Sequence, residues 1–148
     1  MRFRKATIDD YYAVLQCVIA AFAGYAKDMG ITPPPIREDY FFYIKTEEVI
    51  ILEKDREAIG IIVLILKKGY LYLDVIAIKP EYQGKGYSYK MMDKVEEIAR
   101  GMNYKQILLR SAILFGKMNY YDKFGYENIM IEEMDDRTVA HFRKELVY

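Results

Sequence analysis

The hydrophobic positions of the 148-residue chain change period several times, and each change marks an element. Met1 to Ala6 alternates Phe3 with Arg2 and Arg4, the pattern of a short half-exposed strand. Thr7-Ile8-Asp9-Asp10 sets a hydroxyl three residues before an acid, a capping-box-like start that puts negative charge at a helix N-terminus. The helix runs to about Tyr25 and offers Tyr11, Leu15, Val18, Ile19 and Phe22 as one apolar stripe. From Lys27 to Pro35, Gly30 and the run Pro33-Pro34-Pro35 predict an extended connection. Ile36 to about Lys45 reads as a second short helix carrying Tyr40, Phe41 and Ile44. Glu48 to Glu53 and Ala58 to Leu66 are then β-branched runs around the charged Lys54-Asp55-Arg56-Glu57, the signature of a hairpin.

Lys67-Lys68-Gly69 turns the chain into its most apolar run, Tyr70 to Ile78, which only Asp74 interrupts. Such a run suits an interior strand buried on both faces and closes an antiparallel meander of three strands. Pro80 ends the pairing, and Gly84 and Gly86 open a tight loop. From Gly86 to about Met102 the positions Met91, Val95, Ile98, Ala99 and Met102 recur at helical spacing. Gly101 and Asn103 stop that helix, and Gln106 to Arg110 reads as the next strand. Strand, crossover helix and strand imply a parallel pair inside a mixed sheet. Leu114 to Phe124 reads as a short helix ending at Gly125, and Tyr126 to Glu132 and Val139 to Val147 as two strands. The composition of the last also admits a terminal helix. The class is thus α/β with a mixed sheet, α+β in character, in a single domain spanning residues 1–148.

The loop carries the first chemistry. Unpaired N–H groups at a helix N-terminus, beside glycines that let a ligand approach, suit a phosphate or pyrophosphate. A P-loop needs four residues between its glycines, whereas a single residue separates Gly84 from Gly86. A dinucleotide loop needs a third glycine where Tyr89 stands, and an acid after the next strand where Arg110 and Ser111 stand. Gln83-Gly84-Lys85-Gly86-Tyr87-Ser88, following Val75-Ile76-Ala77-Ile78, resembles instead the acetyl-CoA loop of the GNAT family of N-acetyltransferases, Gln/Arg-x-x-Gly-x-Gly/Ala. Ser88 departs from it by adding a hydroxyl. A second block downstream, Tyr120-Tyr121-Asp122-Lys123-Phe124-Gly125-Tyr126, resembles the family's late Phe-Tyr-Glu-Lys-x-Gly-Phe, and the resemblance spans essentially the whole chain.

The resemblance implies a GNAT-like fold, in which the meander is followed by a splayed parallel strand pair with flanking helices and acetyl-CoA lies in the opening as cosubstrate. Ile76 and Ile78 would then present backbone groups to the acetyl-pantetheine arm, and the Ile76 N–H could polarise the thioester carbonyl. Gln83, Gly84, Lys85, Gly86, Tyr87 and Ser88 would cradle the pyrophosphate, with Lys85 either supplying charge or remaining a solvated turn lysine. Tyr121 matches the family tyrosine that protonates the departing thiolate, and Tyr120 would be its packing neighbour. Leu114 and Lys117 stand where the family often has an asparagine and a small residue, so one CoA contact is in question. Some members carry a glutamate at the position of Tyr72, two residues from Asp74 on the same face. Asp74, an acid in an apolar strand, is accordingly either a base or substrate anchor, or a structural carboxylate with its own partner.

Composition narrows the picture further. Lys plus Arg and Asp plus Glu are both 22, so no net field draws the chain to nucleic acid or to an anionic membrane. The apolar stretch Ala13 to Ala23 is too short to span a bilayer and wrongly flanked for a signal peptide. Cys17 is the only cysteine and His141 the only histidine, which suits a reducing, cytoplasmic setting and leaves no His-based metal cluster. Cys17 reads as a small apolar helix residue and His141 as a strand surface residue. The expected reaction is acetyl transfer to a primary amine of a small molecule or peptide, without metal, with a homodimer admitted. The acceptor would lie among Phe22, Tyr25, Pro33–Pro35 and Tyr40–Tyr43. The competing reading is a noncatalytic acyl-CoA-binding or protein-interaction module on the same fold.

Overall fold

The computed structural model describes residues 1–30, 32–113 and 119–148. In chain order its elements are β1 (Arg2–Lys5), α1 (Tyr11–Met29), α2 (Pro34–Arg37), α3 (Tyr40–Lys45), β2 (Val49–Lys54), β3 (Glu57–Leu66), β4 (Leu71–Ile78), α4 (Tyr87–Gly101), β5 (Gln106–Ile113), β6 (Glu127–Glu133) and β7 (Thr138–Glu145). The strands form one mixed sheet in the order β1-β2-β3-β4-β5-β7-β6. The expected meander and parallel pair are both present. β4 runs parallel to β5 with Leu71, Tyr72 and Leu73 opposite Ile107, Leu108 and Leu109. No helix among the described residues is long and apolar enough to cross a membrane.

The chain forms two compact units, Met1–Leu64 with Val75–Met91, and Ile65–Asp74 with Met92–Tyr148. In the first, Val14, Cys17 and Val18 of α1 are fully buried with Ile51, Ile59, Ile61 and Ile62 of the sheet. This displaces the expected stripe: Ile19 is 40% exposed, and Val14 and Cys17 take the inner positions. Only Gln16 among residues 11–26 is strongly polar, so the helix has no polar face to dictate its rotation. α1 also continues past Tyr25 to Met29 and ends at Gly30 in the left-handed conformation, φ 69°. The single helix expected over 36–45 is two, because Asp39 starts a new one, its carboxylate accepting from the Phe42 N–H at 3.0 Å.

A charge cluster ties β1 to the start of α1. Arg4 donates two hydrogen bonds to Asp10, both 2.8 Å, and one to Glu53 of β2 at 2.9 Å. Asp10 also accepts from the Thr7 N–H at 2.7 Å, so the capping acid is present as expected. The Arg4 hydrogen bonds hold the Asp10 carboxyl down at about 2, against the opposing effect of burial. A depressed carboxylate stabilises the fold above its unfolded pKa near 4, and that contribution is lost as pH falls through about 2. Asp10→Asn should therefore cost about 1–2 kcal/mol near neutral pH, in line with a charged hydrogen bond. Urea melts of both proteins should converge as pH drops from about 4 to about 2, and a constant difference across that window would assign the loss to something other than the ion pair.

In the second unit β7 lies between β5 and β6, antiparallel to both, with Phe142 opposite Leu109 on one side and Asn128 on the other. This central position settles the C-terminal segment as strand, since each neighbour supplies a ladder. β6 is an edge strand exposed along its whole length, so the alternation of Ile129 and Ile131 does not produce a buried face. The helix expected over Leu114–Phe124 is described only from residue 119 on, where Asp122–Phe124 forms a single 3-10 turn closed by Gly125 at φ 88°.

Candidate active site

The loop after β4 is built from three local decisions. Pro80–Tyr82 forms a 3-10 turn, and Gly84 and Gly86 take φ of 72° and 86°, a region that L side chains rarely adopt. Gln83 then folds back: its side-chain amide donates to the Ile78 carbonyl at 3.0 Å, bracing the loop against the end of β4. Its backbone N–H is likewise used, bonding to the Pro80 carbonyl at 3.2 Å. Beyond it the pattern changes. Among the described residues, no protein acceptor takes the N–H of Gly84, Lys85, Gly86, Tyr87 or Ser88. Five successive donors without a protein acceptor stand at the mouth of a 15-residue helix, with Gly84, Lys85 and Gly86 exposed, which is chemistry suited to an anion.

Gly60 of β3 explains how α4 seats itself beneath this loop. A Cβ there would meet Met91 of α4 at 3.0 Å and the Ala77 carbonyl at 3.1 Å. In the sequence it is a lone glycine in an apolar strand, which is the usual mark of a close approach. Around the loop, the Tyr82 hydroxyl donates to Glu57 at 2.7 Å and Lys79 donates to the same carboxylate at 3.2 Å. These bonds, Tyr82 first, hold Glu57 below the usual carboxylate range. Cys17 lies nearby with its thiol pushed up to about 12 by burial, so it is not a thiolate nucleophile.

Along β4, Leu71, Leu73, Val75 and Ala77 are buried, while Tyr72, Asp74 and Ile76 share the half-exposed face. The common face expected for Tyr72 and Asp74 is therefore real. Asp74 Oδ2 is shielded from solvent and has no hydrogen-bond partner among the described residues. Ile78 is nearly buried.

Tyr121 stands immediately before the 3-10 turn in the second unit, half-buried, with its carbonyl accepting from Phe124 and Tyr126 at 3.1 and 3.3 Å. Its ring packs on Phe142 at 5.1 Å and on Tyr120 at 5.0 Å, so Tyr120 is a packing neighbour as expected. Lys144 of β7 pins this turn, donating to the Phe124 carbonyl at 2.9 Å and to Glu96 of α4 at 2.7 Å. Gly125 leaves space for it, since a Cβ there would sit 3.1 Å from Lys144 Cε. This brace has no signal in the sequence because it joins residues up to 48 positions apart. Burial raises the Tyr126 phenol well above its ordinary range. His141 is half-buried on β7 and bonds Glu132 at 2.5 Å. Leu114 and Lys117 lie outside the described residues.

In the region expected to receive the acceptor, Tyr40 is 1% exposed and its hydroxyl donates to the Pro35 carbonyl, so it pins the proline segment. Phe22 packs on Tyr25 at 6.4 Å and Phe42 on Tyr43 at 6.0 Å. Among the described residues, no group of three or more His, Cys, Asp or Glu side chains could hold a metal ion.

The sheet order, the parallel β4/β5 pair and the glycine loop opening α4 define the acetyltransferase architecture. The acetyltransferase (GNAT) family model matches residues 18–126, and the chain belongs to that family. Among solved structures it is similar to the PaiA N-acetyltransferase of Thermoplasma acidophilum in complex with coenzyme A, at 19% identity and TM-score 0.77, over 98% of each chain. It is also similar to an aminoglycoside 6'-N-acetyltransferase complexed with coenzyme A, at 10% identity and TM-score 0.76, over 100% of this chain and 98% of that one. The N-acetylglutamate synthase of Neisseria gonorrhoeae, complexed with coenzyme A and N-acetyl-glutamate, matches at 18% identity and TM-score 0.77, over 99% of this chain and 35% of its own. No curated protein matches the sequence.

Proposed function

We propose that the protein is an N-acetyltransferase that moves the acetyl group of acetyl-CoA to a primary amine of a small molecule or peptide by direct attack. The observation that carries this reading is the run of five backbone donors from Gly84 to Ser88, in a chain of the acetyltransferase family. They would hold the pyrophosphate, with Lys85 adding charge, while Ile76 and Ile78 offer backbone groups to the acetyl-pantetheine arm. The amine nitrogen attacks the thioester carbon, the Ile76 N–H stabilises the oxyanion, and collapse breaks the C–S bond. Tyr121 gives its phenolic proton to the departing sulfur, and the nitrogen loses a proton to a base. This chemistry needs no metal. The acceptors' class is supported by the N-acetyl-glutamate in the synthase complex and by the NatC complex, solved bound to a Gag peptide and CoA.

An alkyl amine is protonated at neutral pH, its pKa lying about where that of lysine does, so a carboxylate near it either anchors the cation or takes its proton. Asp74 suits both roles, since a shielded carboxylate oxygen without a donor is costly until a ligand supplies one. Asp39 is less suited, being engaged as a helix cap. A panel of amines incubated with acetyl-CoA, followed by free thiol, should identify an acceptor. On it, Asp74→Asn should raise KM or lower kcat at least about tenfold with acetyl-CoA affinity unchanged. Binding without thiol release for any amine favours the noncatalytic acyl-CoA module, and identical kinetics in the variant return Asp74 to a structural role.

A further inference from the structure

The hairpin turn between β2 and β3 sends a lysine to the glycine loop. Asp55 and Arg56 both take left-handed backbone, φ 50° and 66°, which closes the turn between Lys54 and Glu57. Lys54 Nζ donates to the Tyr87 hydroxyl at 2.9 Å, at the first residue of α4. It lies 5.6 Å from the Tyr87 ring centre and 5.9 Å from that of Tyr82, two rings in edge contact at 6.0 Å. Lys85 reaches the same Tyr82 ring at 5.9 Å, so the two ammonium groups are no more than about 12 Å apart. Neither forms an ion pair among the described residues, although Asp55 and Glu81 are close in sequence. The Glu57 carboxylate beside the Tyr82 ring is committed to Lys79 and Tyr82. Two cations are thus gathered around one aromatic ring beside five unpaired amide donors, an arrangement suited to an anion.

We propose that Lys54 is a binding residue for a phosphate of CoA, working with Lys85 across the Tyr82 ring. The inference rests on the acetyl-CoA reading of the loop and adds a residue from a different hairpin to it. CoA offers two phosphate sources, the pyrophosphate and the ribose 3'-phosphate, and a charged lysine contact to either is worth about tenfold in affinity.

Calorimetry with CoA and with 3'-dephospho-CoA separates these, using wild type, Lys54→Met and Lys54→Arg, each checked by thermal melting. Lys54→Met should bind CoA about tenfold more weakly, while Lys54→Arg, which keeps the charge, stays within about threefold of wild type. If the contact is to the 3'-phosphate, wild type prefers CoA over the dephospho form and Lys54→Met binds the two alike. If it is to the pyrophosphate, Lys54→Met weakens both ligands equally. Unchanged CoA affinity in a folded Lys54→Met, or an equal loss in Lys54→Arg, overturns the role and leaves Lys54 as a clasp on Tyr87. Wild type that fails to bind CoA at all overturns the loop reading together with it.

Discussion

Gly86→Val should yield a folded protein that no longer binds acetyl-CoA. The backbone at Gly86 has φ 86°, and a β-branched residue there is strained by about 1–2 kcal/mol. Apart from that backbone strain the space is open, because a Cβ built at Gly86 meets no atom within 4 Å. In the proposed site the loop amides approach a pyrophosphate to hydrogen-bond distance, and a branched group in their midst would both block the approach and pull the loop from the conformation that aligns them. Calorimetry should show at least about a hundredfold loss in affinity, equivalent to about 2.7 kcal/mol, while circular dichroism keeps a cooperative melt. A variant that binds acetyl-CoA as wild type does would remove the loop from the cosubstrate site. Gly125→Val would be a different experiment, since there the strain of φ 88° comes with a Cβ only 3.1 Å from Lys144 Cε and the loss would include the Lys144 brace.

Tyr121→Phe should lower kcat about a hundredfold while leaving acetyl-CoA affinity intact. The ring contacts with Phe142 and Tyr120 survive the change, so the apolar packing that holds the turn is retained and only one oxygen is lost. General-acid loss typically costs about 10²–10⁴ in rate, and the low end applies because a thiolate, with a pKa near 8.5 for cysteine, already leaves tolerably. Full kcat in the variant would make Tyr121 a packing residue. Reduced kcat with unchanged Kd, and a flattened dependence on pH at the alkaline side, supports proton donation to the sulfur.

Much of the architecture is legible along the chain. The strands β1 to β5 and the helix α4 lie within a few residues of where period and turn signals put them, because runs such as Tyr70 to Ile78 and Met91 to Met102 are decided by local pattern. The glycines of the loop are also legible, since positive φ at Gly84 and Gly86 is a backbone requirement that few other residues meet. The face that α1 buries is not legible. With apolar residues around nearly the whole helix, the choice of Val14, Cys17 and Val18 over Tyr11, Leu15 and Ile19 belongs to the sheet against which it packs.

By itself, then, the sequence determined the strands up to β5, the helix after the loop, the glycine loop and the Tyr120–Tyr126 block, all features written in neighbouring residues. Tertiary structure decided what depends on distant ones: β7 entering between β5 and β6, β6 left as an exposed edge, Lys144 bracing the Tyr121 turn through Glu96 and Phe124, and Lys54 arriving at Tyr87. The division is physical. A turn or a helix period is set by backbone sterics within a few residues, whereas a side chain that crosses 33 or 48 positions finds its partner only once the sheet has brought the two segments together.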